Sequence, residues 1–441
     1  MSTPYEFDLQ KLDFITSQGQ KVDLRGIFTD LNIFEDIFAN CMSGNLTVTD
    51  STNIFGYIVA SGNEFLHIVL DKPGLNKPID KQFRVFNRPN ISQMKPTNQS
   101  VTLGFCSEEL LVSKSLTFSK VYSSMLISDM AKDIATNILK IDSKNFPDNN
   151  IEVTKGMVDI TIPYYNPLQG LNWLASKATS SYVGASYFFF ENQKGYNFKS
   201  LQNMMDITQP VATYNYSIKN VDNDDPNTDF YNVDKYSIIQ TPDTLDALMN
   251  GARSGKLMTL DVLRQQFIAK DLNADDLFNA SVSVASGKPY SDFTNRIGKQ
   301  SADSYGGYRK FYPTNLGQNQ AEYIKGKQQV NPSNIENWLI ERNAQIMQIL
   351  GNRVKIVIPG NNLLKVGDII CFNLPSIESQ TDQSGGQQRK LDPYFTGNYL
   401  ISAMRHHVTV KLYECVAELC RDTLNRGVPG ASGGTGIGAL A

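Results

Sequence analysis

The chain has 441 residues, 41 basic and 44 acidic, for a formal net charge of −3, which gives no electrostatic basis for gripping a phosphate backbone. Charged residues make up 19% and aromatics 10%; that is too aromatic for a disordered chain, and it predicts apolar surface hidden in cores or against partners. At roughly 150 residues per domain, the length predicts about three domains.

The first ten residues are polar and acidic, with no basic n-region or apolar h-region, which predicts no secretory signal. No apolar run approaches 18 residues, so no membrane insertion is expected. The five cysteines, Cys41, Cys106, Cys371, Cys415 and Cys420, are sparse and odd in number. They predict free, buried thiols in a reducing compartment and no disulfide framework.

Residues 1–110 read as β. Residues 44–50 alternate Leu46 and Val48 with polar neighbours, residues 64–70 form a second strand after the turn Ser61-Gly62-Asn63, and 81–88 and 100–105 form two more. The period changes after Leu110. Leu126, Met130, Ile134 and Ile138 recur at four-residue steps and predict a helix over 123–140, capped by Ser123 or Ser124. Asn166-Pro167 opens a second helix, with Leu168, Leu171, Leu174 and Ala178 on its buried face. The apolar run Tyr187–Phe190 predicts a core strand, joined by a four-residue loop over 192–195 to a strand over 196–201.

Beyond residue 206 the chain returns to β, with strands over 212–219 and 257–270 and a short helix over 241–252. Residues 281–334 are rich in Ser, Gly, Tyr, Asn and Gln and predict a long loop, a place for function or a partner. A helix follows, capped by Ser333 or Asn334 and ending at Gly351. Residues 353–358 and 363–374 predict a β-hairpin around 359–362. Residues 376–390 predict an exposed polar loop, 399–410 and 411–420 two last strands, and the Gly-rich 427–441 a flexible tail. Both ends are β around an α-containing middle, which hints at two similar barrels with an inserted module.

Motifs for chemistry are sparse. Adjacent His406 and His407 point to opposite faces of a strand and cannot easily chelate one ion. There is no H-E-x-x-H, C-x-x-C, G-x-S-x-G or phosphate loop. A carboxylate pair stays open, since nothing singles one out among 44 acids; Glu108-Glu109 reads as a strand end or helix start. No cofactor or metal is expected. Tyr305, Tyr308, Phe311 and Tyr312 have few aliphatic companions and are candidate interface anchors, or rings packed on their own domain.

The stretch 43–50, then Asn53-Ile54, then Gly62-Asn63-Glu64 entering a strand, resembles the N-terminal barrel of contractile-tail baseplate hub proteins, T-even-type hubs in particular. The likeness continues through 101–105, the two helices, the aromatic hairpin, and Leu363–Ile370. It implies a mainly β fold with an α+β insertion: a tube-like antiparallel β-barrel over 1–110, an α+β module over 111–205, and a discontinuous second barrel over 206–280 and 335–425. The remainder is an insertion over 281–334 and a tail over 426–441. Gly44, Asp50, Asn53, Gly62, Asn63 and Glu64 are then structural residues holding a hairpin, binding no ligand.

The resemblance further implies a homotrimer whose six barrels join a six-fold tail tube to a three-fold central spike. Its partners would be the spike, the tube, other baseplate proteins, and the tape-measure protein or DNA in the lumen. Its place would be the virion tail baseplate, assembled in the host cytoplasm. It would not be an enzyme. The alternatives are a tail-associated peptidoglycan hydrolase and a tail receptor- or glycan-binding protein.

Overall fold

The computed structural model describes residues 4–423, except 52–53, 58–61, 76, 96–97, 182–183, 207–208, 217–229, 262–264, 274–275, 279–281, 285–307, 315–334 and 382–386. Asn53, Tyr305, the cap at 333–334, the tail over 426–441 and most of 281–334 therefore lie outside the described residues.

The N-terminal strands are β1 (Asp8–Ile15), β2 (Lys21–Asp23), β3 (Phe28–Asp36), β4 (Ser43–Asp50), β5 (Phe65–Asp71), β6 (Ile79–Lys95) and β7 (Asn98–Cys106). Their alternation is the one the sequence predicts. Leu46, Val48, Leu66, Ile68, Val101 and Leu103 are all buried, each side chain contributing about 1.5–3 kcal/mol on leaving water.

A compact module follows. The strand β8 (Phe118–Leu126) pairs antiparallel with β9 (Met157–Tyr165), and helix Ile127–Asp133 runs on into a π-helical turn, Ile134–Ile138. The helix expected from residue 123 thus begins at Ile127. Ser123 and Ser124 belong to β8, and Ser124 has φ +50°. Pairing with β9, which the local pattern does not show, overrides the helical stripe there.

The helix Pro167–Lys177 starts where Asn166-Pro167 predicts. Asn166 accepts from Gln169 N at 2.9 Å in a capping box, and Leu168, Leu171 and Leu174 are buried. The strands β10 (Tyr187–Asn192) and β11 (Gly195–Ser200) pair up to Asn192 and Gly195, so the loop is two residues long and not four. Gly195, at φ +119°, faces the Asn145 carbonyl with no room for a Cβ.

β10 is buried on both faces because it separates two cores. Phe188 and Phe190 enter the large core, while Tyr187 and Phe189 enter that of the module. Alternation within one apolar run divides the rings between them.

The C-terminal strands β12 (Ala212–Tyr216), β13 (Asn232–Val233) and β14 (Lys235–Gln240) precede β15 (Ser254–Asp261), β16 (Gln266–Asn273) and β17 (Tyr308–Thr314). β15 to β17 form a separate sheet packed on helix Ile335–Leu350. The single strand expected over 257–270 is thus part of a hairpin, and the long loop expected over 281–334 contains a strand parallel to β15.

The last strands are β18 (Arg353–Pro359), β19 (Ile369–Asn373), β20 (Pro375–Thr381), β21 (Gln387–Leu391), β22 (Gly397–Thr409) and β23 (Tyr413–Cys420). β20 and β21 pair, so the segment expected as a loop over 376–390 is a hairpin on either side of 382–386. β18 and β19 do not form the expected hairpin. β18 pairs with β14 and β23, and β19 with β12 and β22. The intervening turn is a buried crossover: Asn361 donates to Tyr214 OH at 3.0 Å, Asn362 to the Leu70 carbonyl at 3.0 Å, and a Cβ on Gly360 would strike the Tyr413 ring.

One fourteen-stranded sheet joins the two chain ends, in the order β13-β12-β19-β22-β3-β4-β7-β6-β5-β1-β2. Its hub is the 13-residue β22. One edge pairs first with β19 (Leu400 opposite Ile369) and then with β3 (Ala403 opposite Asp36 to Thr409 opposite Asp30). The other edge pairs with β23, which leads to β18 and β14. A single hydrophobic core runs from Leu9 to Cys420. No described helix is long and apolar enough to cross a membrane.

Candidate interaction face

The motif residues lie on and before β4 and β5, two strands that do not pair with each other. β4 pairs with β3 and β7, β5 with β1 and β6, so β6 and β7 stand between them. Gly44 lies where a Cβ would fall 2.2 Å from the Asn32 carbonyl and 2.3 Å from the Phe105 ring. Asp50 is buried and accepts from Phe55 N at 2.9 Å and Gln99 Nε2 at 3.2 Å. Gly62 has φ +90°, and its N–H donates to the buried Glu64 carboxylate at 3.0 Å. The Asn63 carbonyl accepts from Arg84 Nη1 at 3.0 Å. These bonds fix how the chain leaves β4 and enters β5.

The candidate aromatics among the described residues, Tyr308, Phe311 and Tyr312, lie on the small sheet. Tyr308 is half-buried against Gly251, Phe311 is 57% exposed, and Tyr312 stands opposite Thr259 in the register.

The main sheet presents a mixed polar face on the side away from the core. The register places Lys355, Glu418, Ala403 and Asp36 in one row across β18, β23, β22 and β3. A second row holds Glu414, His407, Asn32, Asn45 and Gly104 across β23, β22, β3, β4 and β7. Polar side chains interlock along it. Arg405 Nε donates to Asn32 Oδ1 at 2.7 Å, and Asn32 Nδ2 donates to Asn45 Oδ1 at 2.7 Å. His407 bridges Glu414, 2.8 Å from Nδ1, and Asp30, 2.6 Å from Nε2. Arg353 meets Glu418 at 3.3 Å. A cavity of about 380 Å³ opens between Phe34, Asp36, Ile239, Lys355, Arg405 and Glu418. The surface mixes polar side chains with the exposed Phe34 and Ile239 and is continuous across strands from both ends of the chain.

The opposite side of the same strands carries a buried polar network. His406 faces Cys415 across β22 and β23, its Nδ1 2.7 Å from Tyr413 OH and 3.4 Å from Cys415 Sγ. Its Nε2 is 3.6 Å from Glu35 Oε1, an ion-pair distance beyond hydrogen bonding. Tyr413 OH donates to Asn362 Oδ1 at 2.8 Å. Burial opposes a charge on His406, but Cys415 and Glu35 outweigh it and raise its pKa to about 10. Burial in turn pushes the Cys415 thiol up, and the imidazolium overrides it and lowers the pKa.

Cys415, His406 and Glu35 have the order of a nucleophile, base and carboxylate, yet all three are buried. Without access for a substrate, they act as a brace. Glu35 accepts from Gln193 N and Val366 N, each at 3.2 Å, and so ties β3 to the β10–β11 loop and the approach to β19. Among the described residues, no group of three or more His, Cys, Asp or Glu is placed to hold a metal.

Two solved structures share this architecture. A tail protein from Neisseria meningitidis MC58 matches with a TM-score of 0.52 and 12% identity, over 95% of this chain and 97% of its own. The 43 kDa tail protein of prophage MuSo2 from Shewanella oneidensis matches with a TM-score of 0.52 and 10% identity, over 94% and 98%. The chain has the fold of these tail proteins. No protein-family model and no curated protein matches its sequence.

Within this tail-protein fold, sequence reasoning missed the brace and the polar face. A signal for the brace was present: a tight turn at 410–412 between two strands sets His406 opposite Cys415. Nothing local signals Glu35, which comes from a strand some 370 residues away in sequence.

Proposed function

We propose that this chain is a structural hub of a contractile-tail baseplate. The observation that carries the reading is the tail-protein fold over nearly the whole chain. In this reading three copies form a ring in which each chain supplies two tube-like barrels, residues 1–110 and the discontinuous 206–280 with 335–425. C3 symmetry then mates with a six-fold tube above and a three-fold spike below. The hairpin-motif and the Tyr305, Tyr308, Phe311 and Tyr312 assignments belong to the same proposal, the former as structural and the latter as interface residues.

The continuous polar face supports this reading. A lumen that passes a tape-measure protein and then DNA must not hold the phosphates, and on this face Arg353 is paired with Glu418 while Asp30 and Glu414 bring further carboxylates, so cations are not in excess. The place of action is the virion tail. The work is geometric: the buried Cys–His–Glu array has no access for a substrate.

Size-exclusion chromatography with light scattering tests the oligomer. A trimer, alone or with the cognate spike protein, is expected; a chain that stays monomeric with the spike present would overturn the proposal. A lytic band on a cell-wall zymogram would replace it with the hydrolase alternative.

A further inference from the structure

A second concave site lies where the β10–β11 hairpin meets the approach to β19. It encloses about 180 Å³, walled by Asn192, Asn197, Lys199, Asn203, Lys365 and Asp368 over an apolar floor of Phe190, Met204 and Val366. The site is built on fixed elements: Asn192, Asn197 and Asp368 are buried, and Asn203 lies in helix Leu201–Met205, capped by Ser200.

Its charges do not balance. Lys194, Lys199 and Lys365 gather here, against the carboxylates of Asp368 and the deeper Glu152. Both carboxylates are already engaged. Asp368 binds Lys365 Nζ and accepts from Lys365 N at 3.2 Å. Glu152 accepts from Ser200 N at 2.7 Å, Ser200 Oγ at 3.0 Å and Ser180 Oγ at 2.8 Å. Among the described residues, the Lys199 ammonium has no acceptor, and the Asn203 amide has no side-chain partner. Burial holds Lys199 below the ordinary lysine pKa, with the Lys365 charge adding to it. A half-buried ammonium with a like charge beside it is stabilised when an anion enters.

We propose that this pocket binds a side-chain carboxylate, an Asp or Glu presented by a partner protein. Lys199 Nζ and the Asn203 amide supply the donors, and the apolar floor takes the methylene stem. The volume is below the roughly 300 Å³ where small-molecule pockets begin and suits a single side chain. Asp368 in the wall repels a phosphate dianion more than a monoanion, which favours the carboxylate. The site does not depend on the trimer, so either proposal can fail alone.

The test is the thermal unfolding midpoint of the full chain against rising butyrate, a blocked Ala-Glu-Ala peptide, or sulfate. Both carboxylates are expected to raise the midpoint, the peptide more than butyrate at equal concentration, with sulfate doing little. The rise should vanish in Lys199→Gln and persist in Lys199→Arg. Equal rises in wild type and Lys199→Gln, no rise with either carboxylate, or sulfate matching butyrate would each overturn the site. A peptide no better than butyrate would overturn the protein-borne source. If Lys199→Gln does not fold, wild-type protein with ¹³C-dimethylated lysines decides. The Lys199 signal, assigned by its loss in Lys199→Arg, should shift as butyrate is added, and a stationary signal would overturn the proposal.

Discussion

The Asp422 carboxyl is buried just beyond β23 and accepts from Ser283 Oγ at 3.1 Å. Burial pushes its pKa up to about 6, from an ordinary 3.8. The folded state therefore holds this proton more tightly than the unfolded one, so stability falls as pH rises from about 4 through about 6. Asp422→Asn removes that titration. Its melting temperature is expected to match wild type near pH ~4 and to exceed it above pH ~7, by the equivalent of about 3 kcal/mol. A difference that does not change with pH would refute the burial argument. Gly44 fails in the opposite sense. Its missing Cβ lets β3 and the Phe105 ring close over β4, and the Asn32 carbonyl is backbone that cannot swing away. Gly44→Ala is expected to cost about 1–3 kcal/mol in denaturant unfolding.

Elements show where local pattern governs and where it yields. The Pro167–Lys177 helix is legible because its cap, its proline and its apolar stripe all agree. Asn166→Ala should lower stability by about 1 kcal/mol through loss of the capping box, measured by chemical denaturation. Tyr187–Phe190 is equally legible as a buried strand, but not as a wall between two cores, since that depends on what packs on each side. Ser123 and Ser124 show the reverse. Their helical surroundings give way to the ladder with β9, some 35 residues on. At 353–374 the turn residues are real, yet Gly360, Asn361 and Asn362 are used for a buried crossover and not for a hairpin.

Across the whole molecule, cohesion is uneven. The large core and the module core share β10, and Glu191 at its end accepts from Met42 N at 2.9 Å and Lys81 Nζ at 3.1 Å and from Ser107 Oγ, binding the N-terminal sheet to the module. These two units should unfold together. Among the described residues, the small sheet β15–β17 rests on a core of five buried apolar side chains: Leu257, Leu272, Leu277, Ile340 and Ala344. Its amides are expected to exchange with solvent well before those of β22, which is paired along both edges. Hydrogen-exchange mass spectrometry compares the two directly, and equal protection would refute separate opening.

The sequence by itself determined the mainly β class, the α-containing middle, the capped helix at Asn166 and the sparseness of short catalytic motifs. These follow from periodicity, caps and composition, which act over a few residues. The fold is shared with solved tail proteins, in line with the resemblance to tail hubs. Only the tertiary structure decided that β22 is shared by both chain ends, that Arg405 meets Asn32 and His406 meets Glu35, and that Lys199 lines a pocket where, among the described residues, its ammonium has no hydrogen-bond acceptor. Each depends on which distant strands pair and in what register. That choice is made by burying whole faces at once, so no short window of sequence records it.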